Sequence, residues 1–229
     1  MAARSTPRRS PGYSPAVEDY TKALYALQAR TGDPVTTNAL AERLGVTPGS
    51  VSAMVKKLAE LGLVVHVPYH GVELTKAGGR IALEVLRHHR LLELYLTEQL
   101  DVPWDRVHDE AEILEHHISE ELEERIAAKL SHPTHDPHGD PIPTPDLTID
   151  EGATLSLQQL DAGARGRFVR VSDSDPEMLR YLADRGISPG ACFDIIDKHP
   201  FDGPVIARFG TQTHILGGRL AQAMRAHVD

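Results

Sequence analysis

TTNALAERLGVTPGSVSAMVKKLAELGLVVHVPYHGVELT, residues 36–75, holds two short helical patterns, a tight turn between them and two strand patterns after them. Thr36 to Leu44 reads as a helix, and Gly45-Val46-Thr47-Pro48 turns the chain into a second one. Thr47 suits the N-cap, and Pro48 suits the first helical position, where a missing N–H costs nothing. Val51, Val55, Leu58 and Leu61 form an apolar stripe on that helix, and Gly62 ends it. Leu63 to Thr75 then reads as two short strands around a Tyr69-His70-Gly71 turn. Upstream, Ser14-Pro15 opens a helix carrying Val17, Tyr20, Leu24 and Leu27 at helical spacing, and Gly32-Asp33-Pro34 stops it. Helix, helix, turn, helix and hairpin make a winged helix-turn-helix, whose usual partner is double-stranded DNA.

The charge of the whole chain, −9, argues against nucleic acid until its distribution is considered. Residues 1–76 carry nine Lys/Arg against six Asp/Glu, a surplus of +3, and the rest of the chain carries −12. DNA contact is therefore expected in the first third. No apolar run approaches a membrane span, and the Arg/Ser/Pro-rich start lacks the apolar core of a secretory signal, so a cytoplasmic protein is expected. Cys192 is the only cysteine, which excludes an internal disulfide and a thiolate zinc knuckle.

Two long helices are expected after the hairpin, roughly Lys76 to Leu100 and Val107 to Leu130, separated where Pro103 breaks the pattern near Asp101-Val102-Pro103-Trp104. Ser131 to Asp150 reads as loop or linker. From residue 153 the rhythm becomes β-rich, with strands expected at Thr154–Leu160, Gly166–Val171, Cys192–Ile196 and Val205–Phe209 and one helix at Pro176–Arg185. That content fits a small SH3-like barrel. Cys192 is expected inside it as a small core residue.

The two long helices carry metal-site chemistry. In the run from His108 to His117, Glu112, Glu115 and His116 share a helical face and His108 stands one turn before Glu112. His89 and Glu93 form a second pair one turn apart. Glu/His-rich helices are ordinarily solvated faces, but Leu91, Leu92, Ile113 and Leu114 draw these inward, and buried carboxylates need a cationic partner. His88 and His117 point about a hundred degrees away from their neighbours, toward the surface or an outer position. His132, His135 and His138 lie among prolines at no ligand spacing and are read as outside any site.

Across nearly its full length the sequence resembles the diphtheria-toxin-repressor family of metal-dependent regulators. The resemblance is carried by Glu18-Asp19-Tyr20, Ala41-Glu42-Arg43-Leu44, Val51-Ser52, Gly62-Leu63-Val64 and His89-Arg90-Leu91-Leu92-Glu93. Its most specific blocks are Val107-His108-Asp109-Glu110-Ala111-Glu112 with Glu115-His116, and the run Pro137-His138-Gly139-Asp140-Pro141-Ile142-Pro143. It implies a homodimer that binds a palindromic operator when loaded with a divalent metal and represses metal-uptake genes. The expected architecture is mainly α with a small β domain: a flexible basic N-terminus over 1–14, a winged helix-turn-helix over 15–75, and a helical dimerisation and metal-binding domain over 76–145. A linker over 146–152 and an SH3-like C-terminal domain over 153–229 complete it.

Carried over residue by residue, the family's primary metal site falls on Asp19, Glu112, Glu115 and His116. Its ancillary site falls on His89, Glu93 and His108, completed by one or two oxygen ligands from the C-terminal domain, for which Asp173 and Asp175 are the candidates. The iron-responsive branch has Met at the position of Asp19 and Cys at that of Glu112, whereas the manganese-responsive branch has acids at both. The donors here are therefore hard oxygen and imidazole, which suit Mn(II) or Fe(II), with Co(II) and Zn(II) as substitutes in vitro. Lys22 stands where some short manganese regulators have an acid that holds a second ion, which argues against a binuclear site. Thr47, Pro48, Gly49, Ser50 and Ser52 begin the helix that reads base edges, while Lys56, Lys57, Tyr69 and His70 are placed for phosphate. Arg4, Arg8 and Arg9 are read as a nonspecific arm or as a tail with no role. An iron-dependent repressor is the alternative within the family. A metallohydrolase is the rival from another class, against which the sequence offers no evident nucleophile, oxyanion donors or pocket.

Overall fold

The computed structural model describes residues 12–67 and 69–229, so Arg4, Arg8 and Arg9 lie outside the described residues. The chain divides into two compact units: 1–89, 113–131 and 143–148 form one, and 90–112, 132–142 and 149–229 form the other.

The first unit opens with α1 (Pro15–Thr31), α2 (Thr37–Leu44) and α3 (Pro48–Glu60), followed by the antiparallel hairpin β1 (Val64–Val67) and β2 (Gly71–Leu74). Local chemistry sets the boundaries. Gly32 and Gly45 end α1 and α2 in the left-handed conformation, at φ 73° and 64°. The Thr36 and Thr47 hydroxyls each accept a backbone N–H at the next helix start, from Ala39 and Ser50, both at 3.2 Å. Val17, Leu24, Leu40, Val51, Leu58 and Leu63 form the core beneath the hairpin, each 1% exposed or less. Leu61, expected in the buried stripe, instead caps α3 and is 44% exposed.

The helix α4 (Lys76–Leu100) contributes to both units. Thr75 starts it, donating its hydroxyl to the Gly62 carbonyl at 2.8 Å and accepting the Gly78 N–H at 3.1 Å. The expected second long helix is two helices, α5 (Val107–Leu114) and α6 (Glu120–Lys129). Ser119 caps α6 by accepting the Leu122 N–H, and acids at 120, 121 and 123 fill its first turn at the positive end of the helix. The turn from Glu115 to His117 therefore interrupts the helical pattern.

In the second unit the expected strand 154–160 is only β3 (Leu155–Ser156), followed by a 3-10 turn at Leu157–Gln159. β4 (Arg165–Val171), α7 (Pro176–Ala183), β5 (Cys192–Lys198) and β6 (Val205–Phe209) match the expected elements closely. β7 (Gln212–Leu216), α8 (Gly218–Ala223) and β8 (Met224–Val228) are additional. The strands form one antiparallel sheet in the order β3-β8-β4-β5-β6-β7 around Leu157, Phe168, Leu179, Ile195 and Leu216. Strand alternation sends Phe193 and Ile195 inward, so Cys192 faces out and is exposed, contrary to its expected core place.

Gly78 and Gly79, adjacent in α4, offer a test of this packing. A Cβ at Gly78 would lie 2.1 Å from the Leu63 carbonyl oxygen, while one at Gly79 meets nothing within 4 Å. Gly78→Ala should destabilise by about 1–3 kcal/mol through overpacking, and Gly79→Ala should stabilise by about 0.5–1 kcal/mol through helix propensity. Urea unfolding of the two variants checks the opposite signs.

Candidate metal centre

Among the described residues, carboxylate and imidazole groups gather around Glu115 in the first unit and around Glu93 in the second. In the first, α1 presents Glu18, Asp19 and Lys22, and the turn after α5 presents Glu115 and His116. His116 bridges the two segments: its Nδ1 lies 2.6 Å from Glu18 and its Nε2 2.9 Å from Asp19. Glu115, only 1% exposed, receives Lys22 Nζ on Oε1 at 2.6 Å and His89 Nδ1 on Oε2 at 2.5 Å. The expected donors Asp19, Glu115 and His116 fall within 4.8 Å of one another. Hydrogen bonds to Asp19, then Glu18, hold the His116 imidazolium up to a pKa of about 10. Once that proton leaves, Glu18 can keep the proton on Nδ1 and leave the Nε2 lone pair toward Asp19 and Glu115, the usual outer partner of a metal-bound histidine. Glu18 was not singled out from the sequence, although it stands next to Asp19.

The second cluster is built around Glu93, also 1% exposed. His108 Nδ1 lies 3.4 Å from Glu93 and 3.0 Å from Asp173, and its Nε2 lies 3.7 Å from Glu112. Burial disfavours the charged ring, but Asp173 and Glu93 outweigh it and raise the His108 pKa to about 10. Burial likewise opposes ionisation of Asp173, and His108 overrides it, lowering that carboxyl. Asp175 is engaged elsewhere: it caps α7, accepting the Glu177 and Met178 N–H groups, and pairs with Arg219 at 3.0 Å. Of the two candidates, Asp173 is the one brought to the cluster.

His138, read from sequence as lying outside any site, is fully buried with its Nδ1 3.7 Å from Glu93. Its Nε2–H donates to the Trp104 carbonyl at 2.8 Å, which leaves Nδ1 buried without a hydrogen-bond partner and aimed at the carboxylates. An orphaned imidazole nitrogen beside Glu93 and Asp136 is the arrangement a cation would satisfy. Burial lowers and Glu93 raises the tendency of this ring to hold a proton, with a net pKa of about 9. Burial, then Asp140 and Glu93, push the Asp136 carboxyl well above its ordinary range.

The Pro/His run is thus folded rather than loose. Asp136 accepts the His138 and Asp140 N–H groups at 2.8 and 2.9 Å, and the Val171 N–H donates to the His138 carbonyl at 3.0 Å. Gly139, at φ 87°, lies so close to β4 that a Cβ would fall 1.8 Å from the Val169 oxygen. The signal available in the sequence was the compact Pro-His-Gly-Asp-Pro block, a tight turn with two donors, at no helical spacing. Neither cluster contains sulfur among its described donors, so both fit a hard or borderline divalent ion.

On α3 and its N-cap, Thr47, Pro48, Gly49, Ser50, Ser52, Lys56 and Lys57 are all exposed. Their hydroxyls are partly committed to the helix: Thr47 and Ser50 hydroxyls lie 3.0 Å apart, and Ser52 donates to the Pro48 carbonyl at 2.9 Å. Tyr69 stands fully exposed at the hairpin tip with φ 65°.

Comparison with known proteins gives three family matches in order along the chain. Residues 13–72 match the N-terminal DNA-binding domain of iron dependent repressors, residues 75–144 their metal binding and dimerisation domain, and residues 155–227 the FeoA domain. The chain is 30% identical over 220 residues to the iron-dependent repressor IdeR of Mycobacterium tuberculosis, covering 91% of this chain and 95% of that one. It is 31% identical over 218 residues to the diphtheria toxin repressor of Corynebacterium efficiens, covering 91% and 93%. A structure of a manganese-dependent transcriptional repressor in complex with manganese is 41% identical, with a TM-score of 0.87, covering 93% of this chain and all of that one. The manganese regulator SloR superposes with a TM-score of 0.77 at 28% identity, covering 98% and 100%.

The donor clusters generate two expectations. His138→Ala and Asp173→Ala should each weaken one class of Mn(II) ion by at least about tenfold in isothermal titration, while Asp175→Ala leaves both classes unchanged. Because His116, His108 and His138 hold protons up to about 10, 10 and 9, an entering ion must displace them. Apparent Mn(II) affinity should therefore rise with pH from 6 to 9, by about tenfold per unit for each proton displaced. Titrations in buffers of different ionisation enthalpy count those protons, and a flat pH profile would exclude the displacement.

Proposed function

The chain belongs to the iron-dependent repressor family, that of the diphtheria toxin repressor, and is a metal-dependent transcriptional repressor; we propose that its activating ion is Mn(II) and that it works as a homodimer on a palindromic operator. The genes it controls in this reading are those of metal uptake, and its place of work is the cytoplasm.

The observation that carries the reading is the gathering of Asp19, on α1 of the DNA-binding domain, with Glu115 and His116 in the turn after α5. A cation held by these three, joined in our reading by Glu112, ties the DNA-reading helices to the helices of the dimerisation domain. It also supplies the positive charge that Lys22, His89 and the His116 proton otherwise provide. Glu93, His108 and Asp173, with His138 and Asp136 now added and His89 one helical turn before Glu93, are our ancillary ligand set. If the ion binds the DNA-competent arrangement more tightly than the alternatives, it shifts the population toward it, and DNA in turn raises metal affinity by the same factor.

Manganese is favoured by the all-oxygen and imidazole donors and by the 41% identity to a repressor named for manganese, against 30% to one named for iron. Fe(II) is the second reading, supported by those iron-dependent relatives. Ile113 and Leu122, 64% and 45% exposed on the helical domain, supply apolar surface for a partner protomer. In the reading helix, small side chains and committed hydroxyls leave thymine methyl contact and DNA shape as main sources of specificity, with Lys56 and Lys57 on phosphate.

Fluorescence anisotropy on operator DNA should show binding that needs Mn(II) or Fe(II), is reversed by chelator and falls steeply with salt. Equal binding in excess chelator would remove metal dependence. Asp19→Met with Glu112→Cys should lose Mn(II) activation more than Fe(II), Co(II) or Zn(II) activation, and an unchanged order would show that these residues do not set metal choice.

A further inference from the structure

Lys22 stands on α1 three residues after Asp19 and on the same helical face. From the sequence its role is negative, an ammonium where a second ion would need an acid. In the structure its Nζ lies 2.6 Å from Glu115 Oε1, with the two side chains 16% and 0% exposed. The two oxygens of Glu115 have different neighbours. Oε2 receives His89 Nδ1 at 2.5 Å, whereas Oε1 is the one toward His116, whose Nε2 lies 3.5 Å from it and 2.9 Å from Asp19 Oδ1. A cation shared by Asp19, His116 and Glu115 therefore uses Oε1, the atom that Lys22 already holds.

An ammonium and a divalent ion on one buried oxygen repel strongly, because little water is at hand to screen the two charges. Lysine suits an occupant that has to leave. Its charge is a compact point on a flexible stem and is strongly hydrated once exposed, unlike the planar fork of arginine. Lys22 already reaches solvent in part, and Glu18, four residues back on the same face, offers it an acid other than Glu115. While seated, it neutralises Glu115 and ties α1 to the turn after α5, the same two segments that the ion joins in our reading. An ordinary buried ion pair would persist in the loaded protein; here the shared oxygen makes the two occupants exclusive.

We propose that Lys22 is a tethered counter-ion of the metal centre: with Asp19, Glu115 and His116 read as the ligands, it fills Glu115 Oε1 in the unloaded protein, is expelled on loading and thereby sets the metal concentration at which the repressor responds. The apparent affinity of the centre is then its intrinsic affinity multiplied by the fraction of molecules from which the ammonium has moved away.

Isothermal titration of the full-length protein with Mn(II) alone tests this with Lys22→Met, which keeps most of the stem and removes the charge, and with Asp19→Ala beside it. Lys22→Met should tighten one class of Mn(II) ion by about tenfold or more and lower the melting temperature measured in chelator, since buried Glu115 loses a counter-ion. A lysine that only orients or stabilises Glu115 gives the opposite sign in the titration. Unchanged or weaker binding by Lys22→Met, where Asp19→Ala abolishes that class, would overturn the proposal and leave the ligand assignment standing. No effect of Asp19→Ala would remove the ligand assignment, and the tethered counter-ion with it. The wild-type protein supplies a second readout that needs no variant. Acetic anhydride labelling, read by mass spectrometry against exposed Lys56, should modify Lys22 several-fold faster in saturating Mn(II) than in chelator. Equal or slower labelling would show that the ammonium is not released.

Discussion

A buried carboxylate must be given positive charge, and two of them organise this protein. Glu115 and Glu93 are each 1% exposed, a placement that is strongly unfavourable for an ionised group without a partner. Around Glu115 the compensation comes from Lys22 and His89, and around Glu93 from His108 and His138. All four are side chains whose hold is weaker or more conditional than that of a bound divalent ion: a flexible ammonium and three imidazoles that carry charge only while protonated. In our proposal a bound divalent ion takes over this conditional compensation at both centres, which is the thermodynamic requirement for a sensor rather than a permanent structural site.

The location of the first centre gives that requirement a mechanical consequence. Asp19 and Glu18 sit on α1, whose apolar face, Val17, Tyr20 and Leu24, packs in the core that also holds Val51 and Leu58 of the reading helix. Glu115 and His116 sit in the turn between α5 and α6. In our proposal an ion held across His116 restrains α3 relative to that turn through this shared core.

Much of this was legible in the sequence, for identifiable reasons. The winged helix-turn-helix announces itself through Thr47-Pro48, the glycine stops and two short alternating strands, all local signals. Asp19, Glu115, His116, Glu93 and His108 followed from helical spacing and from resemblance to the family. What escaped depends on contacts distant in sequence. His138 joins Glu93 only because the run from Asp136 to Asp140 folds back on itself and is pinned to β4 at Val171 and Gly139, which no spacing rule encodes. The break between α5 and α6 was visible as Ser119 followed by acids, but the continuing apolar pattern masked it. Cys192 was misplaced by one strand residue, enough to exchange inside for outside.

The central claim is that one divalent ion at Asp19, Glu115 and His116 fixes the reading helices of a dimer at a DNA-competent separation. Electron–electron distance measurement between spin labels at Ala53→Cys, in a Cys192→Ser background, tests it without DNA present. Saturating Mn(II) should give a narrow distribution near the half-site spacing of about 34 Å, and chelation should broaden or displace it, with Asp19→Ala resembling the chelated protein in both conditions. The same distribution with Mn(II) and with chelator would contradict the claim.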